Sequence, residues 1–202
     1  MITFRKTLNA ALAAILISGL GLAGCEKAAN GGPTPLADDN SDTVNRSTVP
    51  DLPSLNRPFF SPDLVDRVGG VDLFAIAESK LALTQSRNPN VKAFAAAAVD
   101  AHKKSLAGLG AAIDASGQTI SYPEAMPNDL AAKLAALHKL DSAAFDKTYI
   151  SDQVEANQAI VSALQIYAKH GDVVQFKTFA MNGQSAAQNA LASAQTLQSS
   201  LK

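Results

Sequence analysis

The stretch from Asn88 to Gly117 leaves this chain the least conformational freedom. Asn88 is a good helix N-cap, because its side-chain oxygen can accept from the free N–H groups of the first turn. Pro89 follows at the first helical position, where its missing N–H costs nothing. Gly117 can take the left-handed conformation that closes the far end. About 28 residues lie between, or roughly 42 Å of helix. Val91, Ala95, Ala98, His102, Leu106, Leu109 and Ile113 recur at three- and four-residue steps, the period of a buried helix face. His102 sits inside that apolar series. Lys92, Asp100, Lys103 and Lys104 fall on the other side and suit water.

Helices of similar length flank this one. Ser61-Pro62-Asp63 reads as cap, first-turn proline and early acid, opening a helix to about Arg87. Leu64, Val68, Val71, Phe74, Ala77 and Leu81 are its expected inward residues, and Gly69-Gly70 is a potential kink. Residues 117–128 form a Pro-, Gly- and Ser-containing connection. A short helix follows over about Asp129 to Leu140, with Leu130, Leu134 and Leu137 on one face. Asp141 or Ser142 caps a third long helix that reaches His170, where a cation would suit the C-terminal dipole. Its seam is Phe145, Tyr149, Gln153, Asn157, Ile160, Leu164 and Tyr167. The last helix spans about Asp172 to Leu201, with Phe176, Ala180, Gly183, Ala187, Ala190, Ala194, Leu197 and Leu201 inward. With no Trp and few aromatics, Ala and Leu must build the core, and small side chains predict closely approaching helix pairs.

Four long helices bury their stripes most simply as an all-α four-helix bundle. The link between the second and third long helices far exceeds the other two. It can run the length of the bundle and make those helices parallel, the ferritin-like crossover, with the short helix inside it. The alternative is an up-down bundle with the short helix as a lid.

The N-terminus carries a different signal. Arg5 and Lys6 precede an apolar run, Leu8 to Leu22, which ends in Leu22-Ala23-Gly24-Cys25. The run is short for a spanning helix and closes on small residues, as secretory leaders do. The pattern resembles the bacterial lipobox. That resemblance implies that Cys25 becomes the lipidated first residue of the mature protein, anchored in the membrane by its acyl chains. Glu26 follows, rather than the Asp associated with inner-membrane retention, which favours a periplasm-facing outer-membrane lipoprotein. Cys25 is the only cysteine, so no disulfide is expected. From Glu26 to about Phe60 the chain is rich in Gly, Pro, Asn, Asp, Ser and Thr, the composition of a flexible tether with a reach of roughly 30 Å. Phe59-Phe60 are placed to pin its end to the domain. The expected organisation is a leader over 1–24, a lipidated tether over 25–60 and the bundle over 61–202. Without the leader the chain has 15 basic against 18 acidic residues and no basic stripe, which argues against nucleic acid as a partner.

The helical part resembles the bacterial domain of unknown function 4142, a ferritin-like family of envelope proteins. Ser79-Lys80-Leu81-Ala82-Leu83, Asn90-Val91-Lys92-Ala93-Phe94-Ala95 and Asp100-Ala101-His102 carry the likeness. So do Phe145-Asp146-Lys147-Thr148-Tyr149-Ile150 with Gln153, and Phe176-Lys177-Thr178-Phe179-Ala180. The resemblance implies the fold and an envelope location, but no reaction. It also implies polar positions that this chain has lost. Acidic residues before the Lys-Leu-Ala-Leu run become Ala75 and Ala77, and the aspartate before the histidine becomes Ala101. A second histidine becomes Asn157, and one in the last helix becomes Ala190 or Asn189.

A di-iron centre of the ferritin type needs several carboxylates and Glu-x-x-His pairs, and this sequence has no such pair. Its seams offer His102, Gln153, Asn157 and Tyr149, too few strong ligands for iron or zinc. His102 is thus only a weak metal candidate. The simpler expectation is a buried polar seam of His102, Gln153 and Asn157, with the imidazole bonded to one of the two amides. Glu78 and Asp100 lie on different sides of their helices and pair only by accident of packing. His138 and His170 are not expected to act. No phosphate loop, Cys/His pair or serine triad is present, so neither catalytic residues nor a cofactor are expected. The reading is a non-catalytic binding or envelope-stress module whose partner is an unidentified envelope protein or ligand. The alternative is a degenerate metal-binding or redox protein.

Overall fold

A computed structural model describes residues 59–201. Among them are five helices and no strand: α1 Ser61–Gln85, α2 Pro89–Ser116, α3 Asn128–Leu137, α4 Ser142–His170 and α5 Val174–Ser200. The leader and tether expectations, Cys25 included, fall outside the described residues, apart from Phe59 and Phe60.

The expected stops operate locally. The Asn88 side chain accepts from the Asn90 N–H at 2.9 Å, and Asp141 accepts from the Ala144 N–H at 3.2 Å. Gly117 has φ 65°, a backbone state that suits glycine. The start of α1 differs from expectation. Ser61 is already helical, and the Asp63 carboxylate accepts from the Phe60 N–H at 3.1 Å. Ser61 instead turns inward. Its backbone N–H and hydroxyl both donate to Asp172 Oδ1 at 3.1 Å, and Oγ lies 3.1 Å from Gln118 Oε1.

Those bonds fix the topology. The start of α1, the end of α2 and the α4–α5 turn meet at one end of the bundle. At the other end Gln85 donates to the Leu140 carbonyl at 2.7 Å, joining the α1–α2 turn to the start of α4. Around the bundle α1 packs on α2 and α4, and α5 packs on the same two. Every neighbouring pair is therefore antiparallel. α2 and α4 lie diagonally and run the same way, so residues 118–141 carry the chain from one end to the other. This is the ferritin-like crossover, and the lid arrangement is excluded.

α1 runs unbroken through Gly69-Gly70. The pair admits the crossover. A Cβ on Gly69 would stand 2.1 Å from Pro123 Cγ, and one on Gly70 2.7 Å from Pro127 Cδ. α1 is thus covered by α2, α4 and the crossover, which explains its burial on more than one face: Ala75, Ile76, Glu78 and Ser79 are buried, whereas Ala77 and Leu81 are partly open.

The core has two apolar parts. One, around Leu64, Val68, Leu109, Leu164, Tyr167 and Phe176, also takes in Phe59, whose ring meets Tyr167 edge-on at 6.0 Å. Phe59 therefore holds the chain leading into α1 against the bundle, while Phe60 is exposed. The other part surrounds Val91, Leu137, Phe145, Tyr149 and Ile150. Between them, at mid-height, the bundle interior is polar.

Candidate functional site

The mid-height layer is built by one face each of α1, α2 and α4. The three-to-four-residue spacing that buries Leu64, Val68, Ala75 and Ala82 on α1 also carries Asp72 and Ser79 inward. On α2 the same logic buries His102, and on α4 it buries Gln153 and Asn157.

His102 Nδ1 lies 2.7 Å from Asp72 Oδ1. The expectation of an amide partner is thus corrected: the imidazole bonds to a carboxylate of α1, and neither Gln153 nor Asn157 takes that place. The amides bond elsewhere. Asn157 Nδ2 donates to the Gln153 carbonyl one turn back at 2.8 Å, and Gln153 Nε2 donates to Glu78 Oε2 at 3.2 Å. The Asp72 carboxyl is held above the usual carboxylate range by burial, opposed by the His102 contact and by Ser105 beside it. A carboxylate accepts only, so a neutral His102 ring bonded to it carries its proton on Nδ1. Nε2 is then the nitrogen with the lone pair. No hydrogen bond within the described residues engages it.

A second cluster sits between α1, α4 and α3. Glu78 is fully buried, and its acid lies against Asp152. Burial first, and the Asp152 charge second, push its carboxyl up to about 9. Glu78 is therefore protonated at neutral pH. No protein donor reaches its Oε1, which fits the oxygen that carries the proton. On the solvent side Lys133 of α3 contacts Asp152 at 3.5 Å and Glu155 at 2.6 Å, tying the short helix to α4. Ser79 and Tyr149 complete the layer with a 2.9 Å hydroxyl pair.

The fourth helix contributes no polar group here. α5 presents Gly183, Ala187 and Ala190, all only partly buried. Between α2 and α5 these small residues line a groove of about 920 Å³. That is within the range of about 300–1,000 Å³ typical of ligand sites. Its walls are mainly Ala, Gly, Ile160, Leu164 and Phe179. Its floor holds Asp72, His102 and Asn157, and Asp100 and Lys104 stand at the exposed rim.

This donor set does not fit a di-iron centre. Among the described residues no three His, Cys, Asp or Glu side chains are grouped to share an ion. His138 and His170 are exposed at helix ends, apart from the layer.

The fold and the layer define a ferritin-like helical bundle with a polar mid-section and one open side. The chain belongs to the DUF4142 family, a domain of unknown function, whose model matches residues 60–197. Among solved structures it is similar to the DUF305 fragment from Deinococcus radiodurans. The TM-score is 0.59 at 12% identity, over 69% of this chain and 95% of that one. That likeness concerns the fold alone. No curated protein matches the chain.

Asp72 was missed by sequence reading, although the signal was present. Leu64, Val68, Asp72, Ala75, Ser79 and Ala82 form a second three-to-four-residue series beside the all-apolar one, and an acid within it reads as a buried partner for a histidine.

Proposed function

We propose that the protein is a lipid-tethered, periplasm-facing lipoprotein of the outer membrane whose helical domain is a non-catalytic binding module. The groove between α2 and α5 is its binding place. The groove itself carries this reading: it is large, mostly apolar and floored by a few convergent polar groups. The tether rests on the Leu22-Ala23-Gly24-Cys25 pattern and the polar segment after it. No helix among the described residues is long and apolar enough to cross a membrane.

A pull-down from envelope fractions tests the binding site. Ala186 is exposed on the groove wall, so Ala186→Phe fills the space without entering the core. An envelope component held by the wild type and released by Ala186→Phe supports the site, and equal retention by both counts against it. The tether is tested by membrane fractionation: Cys25→Ser should move the protein off the membrane and remove the acyl mass from the N-terminal peptide.

The second reading, a degenerate metal-binding or redox protein, is favoured by one observation, the carboxylate-backed imidazole. Too few donors accompany it to hold a bare ion.

A further inference from the structure

The floor of the α2–α5 groove has a definite chemical sense. Asp72 and His102 are 0% and 4% exposed, and both line the cavity. With Nδ1 committed to Asp72, the neutral ring turns an electron pair, not a proton, toward a guest. Asp72 Oδ2 and, in the same layer, Gln153 Oε1 are buried without a hydrogen-bond partner, the Ser105 hydroxyl standing beside the Asp72 carboxylate. An anionic head group, such as a fatty-acid carboxylate, would meet lone pairs and a carboxylate. The floor favours a Lewis acid.

A bare cation would find one imidazole and one carboxylate already engaged with it. A metal that brings its own equatorial ligands needs only one strong donor from the protein. The geometry points to a planar metallotetrapyrrole, an iron porphyrin being the test case, seated in the α2–α5 groove with His102 Nε2 as its axial ligand. This rests on the groove being the binding place, and it names the ligand class.

Three features of the groove agree with that class. The walls are small and apolar, which gives a flat ring a slot with little to displace: Ala101, Gly108, Gly183, Ala187 and Phe179 face it. The rim carries Lys104, a cation suited to an acidic arm projecting from such a ring toward water, with Asp100 one turn before it on the same rim. The third feature is the far wall. Phe94 shares a surface cleft with Leu197, and Gly108 lies under Phe179, so the α5 residues at the height of His102 are near Ala186 and Ala187. Neither of these two can ligate a metal, and the polar α5 residues on the groove wall, Gln175, Thr178 and Asn182, lie toward its Phe179 end. Asp72 is a positioning residue here. Its bond to Nδ1–H fixes the ring and makes Nε2 a stronger donor, as second-shell carboxylates do.

The test adds hemin to the full chain in lipid nanodiscs, with empty nanodiscs as the blank. The readouts are the Soret band, magnetic circular dichroism for axial imidazole, and the binding of an apolar naphthylamine dye. The wild type should show a saturable one-to-one Soret shift with an imidazole signature. His102→Ala should weaken it at least tenfold. Ala186→Phe, which leaves the dyad intact, should weaken it similarly and also exclude the dye. Asp72→Asn should retain binding but move the iron reduction potential upward, because a less anionic imidazole stabilises the ferric state less; this readout stands even if His102→Ala fails to fold. Hemin uptake indifferent to both His102→Ala and Ala186→Phe would overturn the proposal. Dye binding that Ala186→Phe abolishes, with no imidazole-ligated hemin, would overturn the ligand class and leave the groove standing. If neither dye nor hemin binds, both the ligand class and the groove reading fall.

Discussion

Replacing Glu78 by glutamine should make the protein more stable, increasingly so as pH rises. The side chain is fully buried, and its pKa is raised from 4.5 to about 9, chiefly by burial and next by the Asp152 charge. The folded state therefore keeps a proton that the unfolded chain gives up above pH 4.5. Unfolding releases that proton between the two values, so stability falls with rising pH by about 1.4 kcal/mol per unit in that window. Below pH 4.5 the group contributes no loss, and by pH 7 the loss reaches about 3 kcal/mol. Glutamine has nearly the same shape. It still accepts from Gln153 Nε2, and its amide can donate to Asp152 as the protonated acid does, yet it does not titrate. Urea unfolding of both proteins at half-unit steps from pH 5 to pH 8 gives the difference directly. The curves should lie within about 1 kcal/mol at pH 5 and diverge to about 5 kcal/mol by pH 8, the variant being the more stable. Asp72, also raised by burial but not among the groups that shift Glu78, slopes both curves alike and cancels, whereas Asp152 touches Glu78, so the difference belongs to that pair. Parallel curves would refute the argument, since they would mean that Glu78 ionises as it would in water.

Two further changes probe how the domain is closed. Gly69→Ala places a methyl 2.1 Å from Pro123 Cγ, so the crossover must shift; a loss of about 1–3 kcal/mol in the denaturation midpoint is expected, partly restored by adding Pro123→Ala. Phe59→Ala removes a ring packed on Tyr167 at the mouth of α1 and should cost about 3–5 kcal/mol, whereas Phe60→Ala, on an exposed ring, should cost little.

Much of the architecture could be read from the chain alone, because it is governed by local rules. Asn88, Pro89, Gly117 and Asp141 end helices wherever they stand, and the length of the 117–141 link leaves few ways to connect them. What escaped depended on which surfaces meet. Gly69-Gly70 reads as a weakness in isolation and becomes a seat for Pro123 and Pro127 only once the crossover is in place. Asp72 was hidden because α1 buries more than one face, so no single stripe describes it. The alanines of α5 illustrate a choice that periodicity cannot make. A stripe of small residues permits close approach or leaves room for a groove, and here it lines one. His102 and Asn157 were recognised as inward from their spacing, but the partner of the imidazole required the neighbouring helix.

The chemistry of the groove floor turns on where the His102 ring keeps its lone pair. Long-range proton–nitrogen correlation spectra of the labelled protein, taken at a pH where the ring is neutral, report that tautomer directly. The structure predicts a proton on Nδ1, bonded to Asp72, and a bare Nε2 facing the groove. A proton on Nε2 would contradict it, since the floor would then offer a donor and no electron pair to a bound metal.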